Sequence, residues 1–169
     1  MSAFEDLADT PTYDAVVCCT AWHWLAPGVR TDRAAAMLRP GGSLVTVDTH
    51  HVGGDDDAVF DELQRCYVQW DPATRSAEPL LPAADVPTGV DEVDTSPLFA
   101  RAERLRVARA STYSRAEYLD LLMTYSGHRA LRTDLREGLL TCIGDVIDAH
   151  GGAITKDYLY ELLVAHRTS

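Results

Sequence analysis

Basic residues are scarce in this chain: 15 Lys and Arg stand against 26 Asp and Glu, for a formal net charge of −11. Affinity for a phosphate backbone comes from Lys and Arg displacing counterions, so DNA and RNA are disfavoured as partners. Cysteine is sparse as well, with Cys18 and Cys19 adjacent, Cys66 and Cys142 apart, and no C-x-x-C or C-x-x-H spacing. Neither a zinc site nor a disulfide framework is suggested, and reduced core thiols in a cytoplasmic protein are expected. No uninterrupted apolar run reaches the roughly 18 residues of a membrane span, and Met1-Ser-Ala-Phe-Glu-Asp6 has no basic region leading into an apolar core. No membrane association and no export signal are therefore expected. No internal repeat is evident, and no Gly-x-Gly-x-Gly-like loop occurs; Gly41-Gly42, Gly53-Gly54 and Gly151-Gly152 are isolated pairs.

What is present is apolar substance. Hydrophobic residues make up 46% of 169 positions, enough for the core of a single domain. Tyr13-Asp-Ala-Val-Val-Cys-Cys-Thr20 and Ser43-Leu-Val-Thr-Val-Asp48 are near-continuous apolar runs, the pattern of strands buried on both faces in a parallel sheet. Between them Ala34, Ala35, Ala36, Met37 and Leu38 favour helix, and Pro40-Gly41-Gly42 is placed to stop it and turn the chain back. The result is a strand, helix, strand unit.

These residues resemble a known family, the class I S-adenosylmethionine-dependent methyltransferases, in the subgroup whose fourth strand ends in a His-Trp pair. The matching pieces, in order, are Glu5-Asp6-Leu7, Tyr13-Asp14-Ala15-Val16-Val17, His23-Trp24-Leu25, Pro27 and Leu38-Arg39-Pro40-Gly41-Gly42. The resemblance implies an α/β, partial Rossmann-like fold with a mostly parallel sheet and a C-terminal antiparallel strand. It also implies that the chain corresponds to the C-terminal part of such an enzyme, lacking the N-terminal βα units with the Gly-rich cofactor loop and the acid that holds the ribose.

The remaining chain reads as cover for the two strands. Val59, Phe60, Leu63, Cys66, Tyr67 and Trp70 recur at helical spacing over 57–70, and the acidic run Asp55-Asp56-Asp57 before them suits a helix start better than a metal site. Residues 71–98 hold five of the eight prolines and read as a long loop or insertion. A strand is expected over 104–110, and Ser114-Arg-Ala-Glu117 is a capping box opening a helix with Tyr118, Leu119, Leu122 and Tyr125. Leu135, Leu139, Ile143, Val146 and Ile147 mark another helix, closed by His150-Gly151-Gly152. Residues 154–166 are compatible with helix or strand, and the resemblance implies strand.

Functional candidates follow from position. Ligands of open α/β sheets sit at the carboxyl ends of strands, where Thr20, Ala21 and Trp22 lie. The resemblance implies that these three, with Phe4 and Glu5 along the adenine, bind S-adenosylmethionine. His23 and His50 are candidate acid-base residues because an unperturbed imidazole titrates near neutrality, although His23 could equally cap the following helix. Trp24, His51, Tyr113 and Tyr125 are candidates for the wall of a pocket, with Trp22 and Trp24 expected out of solvent. Methyl transfer to a small-molecule acceptor is the implied activity. The alternative is a non-catalytic interaction module, or half of a split or swapped enzyme, in which a homodimer or a partner chain covers an open sheet edge.

Overall fold

A computed structural model of the protein describes Phe4, residues 13–71, residue 73, residues 80–88 and residues 92–169. The elements are β1 (Tyr13–Cys19), α1 (Arg30–Met37), β2 (Leu38–Val52), α2 (Asp57–Trp70), α3 (Glu92–Thr95), β3 (Glu103–Ser114), α4 (Arg115–Leu122), α5 (Ser126–Ala130), α6 (Thr133–Ala149) and β4 (Ala153–His166). The four strands form one sheet in the order β1-β2-β4-β3. β1 and β2 are parallel, as a strand, helix, strand unit requires. β4 runs antiparallel to β3: Phe99 and Arg167 form an antiparallel bridge, Arg106 meets Glu161, and Thr112 meets Thr155. The mixed α/β sheet with a C-terminal antiparallel strand is the architecture expected.

The chain divides into two compact units, one of Met1–His50, Pro87–Ala108 and Leu159–Ser169, the other of His51–Val86 and Arg109–Tyr158. The first has its core in Trp22, Ala34, Ala35, Leu38, Leu44, Val93, Phe99, Leu163 and Ala165. Within it, α1 has no side-chain cap, and Glu92 of α3 instead fixes the helix start from 62 residues away by holding side chains of its first turn and the backbone of Gly28 before it: its carboxylate accepts from Arg30 Nε at 2.5 Å, the Gly28 N–H at 2.9 Å and Thr31 Oγ1 at 2.9 Å. Burial pushes the Glu92 carboxyl up, and the bonds from Arg30, Gly28 and Thr31 outweigh it, leaving the pKa lowered.

The second unit is built on α2, α4 and α6, with Val59, Leu63, Tyr118, Leu122, Leu139, Ile143, Ile147 and Ile154 buried together. α2 occupies the expected 57–70 span, and Ser114 and Glu117 form the expected reciprocal cap at the start of α4. Gly138 is required by its neighbour: a Cβ there would lie 2.3 Å from the Trp70 ring. At the end of α6, Gly151 and Gly152 adopt φ of 95° and 81°, the left-handed conformation that closes a helix cheaply only with glycine.

Four expectations are corrected. Cys66 and Cys142 form a disulfide, with their Cα atoms 5.8 Å apart; no local spacing signals the pair, because 76 residues separate them and only the packing of α2 on α6 brings them together. β1 is not buried on both faces: Val16 and Cys18 pack on the first unit's core, while Tyr13 is 52% and Val17 63% exposed on the opposite face, over which no described residue packs closely enough to bury them. Leu38-Arg-Pro-Gly-Gly42 is not a turn before the strand but part of β2, where the register passes from Tyr13↔Leu38 to Ala15↔Ser43 and the extra residues bulge out at Gly41, φ 74°. Part of the 71–98 segment is the short helix α3, which carries Glu92.

Alkylation of the denatured, unreduced chain should modify Cys18 and Cys19 and spare Cys66 and Cys142, and Cys142→Ser should lower unfolding free energy by about 2–4 kcal/mol. Glu92→Gln should cost about 1–3 kcal/mol in chemical denaturation, through lost charge-assisted bonds. Because the folded pKa of Glu92 lies below the unfolded one, the carboxylate's contribution is complete above the ordinary glutamate range and disappears as pH falls through the lowered value; the variant should lack that part of the acid transition.

Candidate functional site

The parallel pair β1 and β2 brings two carboxyl ends to one edge of the sheet. Cys19 sits beside Val47, and the Thr20 N–H donates to the Val47 carbonyl at 2.7 Å. Thr20 then turns the chain at φ 49°, a conformation uncommon for a β-branched residue. Trp22, in the short 3-10 turn that follows, is 2% exposed. The Arg30 guanidinium lies 5.0 Å from its ring centroid and donates to the Trp22 carbonyl at 2.6 Å. The Trp22 Nε1 is buried with no acceptor among the described residues. Just before the edge, burial pushes the Cys18 thiol up, so it is no activated nucleophile.

The other residues expected near this edge separate. Trp22 is out of solvent as expected, but Trp24 is 79% exposed, because two residues apart in the 3-10 turn the two side chains leave on different faces. His23 is exposed and leans on Trp24 at 5.1 Å between ring centroids. It supplies no side-chain cap to α1, whose N-cap position is Val29. His50 is half-buried near the end of β2. Phe4 packs against the first unit's core, and Glu5 lies outside the described residues. The edge offers an apolar floor and backbone groups, but the chain contains no Gly-rich loop to cradle the methionine end of S-adenosylmethionine. By themselves these residues do not make a complete cofactor site.

A better-formed site lies wholly within the second unit. A cavity of about 430 Å³ is lined by α2, α4, α5 and β4 and by Leu80. The Gly53 N–H bonds to the Leu81 carbonyl at 2.9 Å and so ties down the chain at that wall. Leu63, Tyr118 and Leu122 are its buried floor; Phe60, Tyr67, Tyr125, His128 and Lys156 are half-buried walls; His51, Asp57 and Asp61 are exposed at its rim. A second hollow, lined by α2 and α6 residues including Trp70 and Cys142, is an open groove.

Lys156 gives the cavity its character. Its ammonium stands 5.6 Å from the Tyr158 ring centroid and 5.9 Å from those of Phe60 and Tyr118, with no ion pair among the described residues. Burial pulls its pKa down to about 8. His128 is lowered first by burial and further by the charge of Lys156, with Asp71 opposing. Its Nε2 and the Tyr67 hydroxyl share a 2.8 Å hydrogen bond, and burial raises Tyr67 to about 12. Tyr158, which shares a 3.2 Å hydroxyl contact with Tyr113, is raised as well, as is Tyr118. Near pH 7 the interior is one cation among neutral tyrosines and a neutral histidine.

Of the residues expected in a pocket wall, His51 and Tyr125 line this cavity; Tyr113 stands behind it, bonded to Tyr158. Lys156, Tyr67 and His128 escape a reading of the sequence. A lysine in a strand ordinarily marks a solvent-facing position, and only the packing of α2 and α4 over β4 encloses this one. Among the described residues no group of three or more His, Cys, Asp or Glu could hold a metal ion, and no helix is long and apolar enough to cross a membrane.

The lowered Lys156 pKa carries a sign. Between about pH 8 and 10 the unfolded chain binds the proton and the folded chain releases it, so stability rises with pH there. The facing groups are Asp57 and Asp61 from α2, Tyr118 from α4, His128 from α5 and Tyr158 from β4; the raised tyrosines reverse the trend above about pH 10. Lys156→Met should be at least as stable as the parent at pH 7 and should lose the rise between pH 7.5 and 9.5, by an amount on the order of 3 kcal/mol or less, in denaturant titrations at each pH.

No family model matches the chain, and no curated protein matches it. Solved structures do. A provisionally assigned type II methyltransferase from Anaeromyxobacter dehalogenans superposes with a TM-score of 0.52 at 18% identity, covering 99% of this chain and 69% of that one. A provisionally assigned methyltransferase from Bacillus halodurans gives 0.49 at 15% identity, over 99% of this chain and 70% of that one. The first of these carries a conclusion about fold: the chain's mixed α/β sheet is arranged as in a methyltransferase-like, Rossmann-type structure.

Proposed function

We propose that this chain is the acceptor-binding part of an S-adenosylmethionine-dependent methyltransferase acting on a small molecule. The observation that supports it most is the aromatic cavity of about 430 Å³ in the second unit, a volume suited to a small metabolite, on a chain whose sheet is methyltransferase-like. Fold alone does not supply function. The sequence motifs ending in His23-Trp24-Leu25 and Leu38-Arg-Pro-Gly-Gly42 support the same reading.

The residues present can hold and orient an acceptor and keep water from it, and positioning supplies much of the rate in a direct displacement. S-adenosylmethionine would supply an electrophilic methyl group. Thr20, Ala21, Trp22, Phe4 and Glu5 are proposed to form its adenine-side wall, and a Gly-rich loop from outside these residues its other side. Where an acceptor has to lose a proton, His23 and His50 are the proposed bases. The position of β1 at the end of the strand order, paired only with β2 among the described residues, and the exposed face carrying Val17 and Tyr13 favour a second reading in which the chain is half of a split or swapped enzyme, or an interaction module whose partner pairs with that strand.

Calorimetric titration of the purified chain with S-adenosylhomocysteine, with its mass in solution recorded, tests the proposal. The chain alone should bind weakly or not at all. Co-expression with a Gly-rich strand-turn-helix segment encoded next to it should restore binding. Micromolar binding by a monomer would remove the need for an external loop. A folded chain that binds in neither state would overturn the methyltransferase reading in favour of the interaction module.

A further inference from the structure

We propose that the cavity of the second unit binds a small monocarboxylate with an apolar or aromatic body, the carboxylate pairing with Lys156. The assignment of this ligand as the methyl acceptor rests on the proposed function; its binding does not.

The first ground is the placement of charge. Lys156 is the one Lys or Arg in the lining, half-buried, with three aromatic rings within 6 Å and no ion pair among the described residues. Holding an ammonium away from water without a counter-ion is costly, and aromatic faces compensate only in part. Methionine at this position would fill the same space without that cost. A ligand that brings its own negative charge converts the cost into affinity, since a charge-assisted pair is strongest where water is excluded.

The second ground limits the ligand's charge and shape. Asp57 and Asp61 stand at the rim, and the chain as a whole carries −11, so a phosphate ester or other polyanion would meet repulsion on entering. One carboxylate near the lysine, with no charge at the rim, meets least. The floor of Leu63, Tyr118 and Leu122 calls for an apolar or aromatic body, and Tyr67, held by His128, offers a hydroxyl to a neutral polar substituent. Pairing with Lys156 also draws electron density from the carboxylate and makes it a poorer nucleophile. The carboxylate is thus the handle, and a methyl group would be accepted at another atom of the same molecule.

Calorimetry on the full chain without cofactor, at pH 7, would compare 3-phenylpropanoate with the neutral 3-phenylpropanamide. The parent should bind the carboxylate at least ten-fold more tightly. Lys156→Met, and Lys156→Gln as a second variant, should lose that preference while retaining the circular dichroism spectrum and the cooperative melting of the parent, Lys156→Met at a temperature no lower than the parent's. At pH 8.5, titrations in buffers of different ionisation enthalpy should show proton uptake on binding by the parent, since the anion restores the ammonium, and none by either variant. Equal binding of the two compounds, no binding of the carboxylate by folded parent, or a preference that survives in a folded variant would overturn the proposal. Because no cofactor is present, these outcomes leave the homocysteine titration to judge methyl transfer separately.

Discussion

The pairing of β4 into the middle of the sheet is the constraint on which the rest of the fold depends. β4 is the last of the four described strands in sequence and lies between β2 and β3, so these four join into one sheet only when β4 has returned to it. One half of β4 delivers Ile154 to the core of the second unit, and the other delivers Leu163 and Ala165 to the core of the first. Polar contacts finish the insertion: the Thr155 N–H donates to the Asp56 carboxylate at 2.6 Å, Arg167 donates to the Leu38 carbonyl, and Arg106 faces Glu161 at 3.1 Å. Each links residues far apart in sequence, and the closure entropy of such contacts is offset only when the whole strand seats.

The same strand carries Lys156, which ties architecture to chemistry. Enclosed by Phe60 and Tyr118 as well as Tyr158, the lysine belongs to the enclosure and would be an ordinary surface residue without it. Its charge reaches His128, and His128 in turn bonds Tyr67. A half-buried cation, a neutral imidazole and a phenol held in its protonated form make a site able to recognise an anion and a polar substituent on one small molecule. None of these groups is a strong nucleophile at pH 7, which suits a reaction governed by position rather than by covalent attack.

Elements whose signals are local were legible in the sequence. The apolar spacing from Val59 to Trp70, the Ser114 to Glu117 capping box and the glycines after His150 each describe bonds made within a few residues, and each stands where the spacing placed it. Signals that depend on a distant partner were not. Cys66 and Cys142 read as separate core thiols, Glu92 read as one acid in a proline-rich loop, and Trp22 and Trp24 both read as out of solvent although only Trp22 is. In β1 the apolar run describes a strand that suits burial on both faces, while the exposure of Tyr13 and Val17 depends on what packs over that face.

By itself, then, the sequence determined the strand, helix, strand order of β1, α1 and β2, the span of α2 and the ends of α4 and α6, and it carried the resemblance through His23-Trp24 and Leu38-Arg-Pro-Gly-Gly42. Periodicity and capping are properties of neighbouring residues, so they can be read without knowing the fold. Only the tertiary structure decided that α2 and α6 are joined by a disulfide, that Glu92 gathers Gly28, Arg30 and Thr31 at the start of α1, and that Lys156 faces a cavity instead of solvent. Those outcomes turn on which surfaces meet across long stretches of chain, and burial, the quantity that changes a lysine from a solvated charge into a binding group, exists only once they have met.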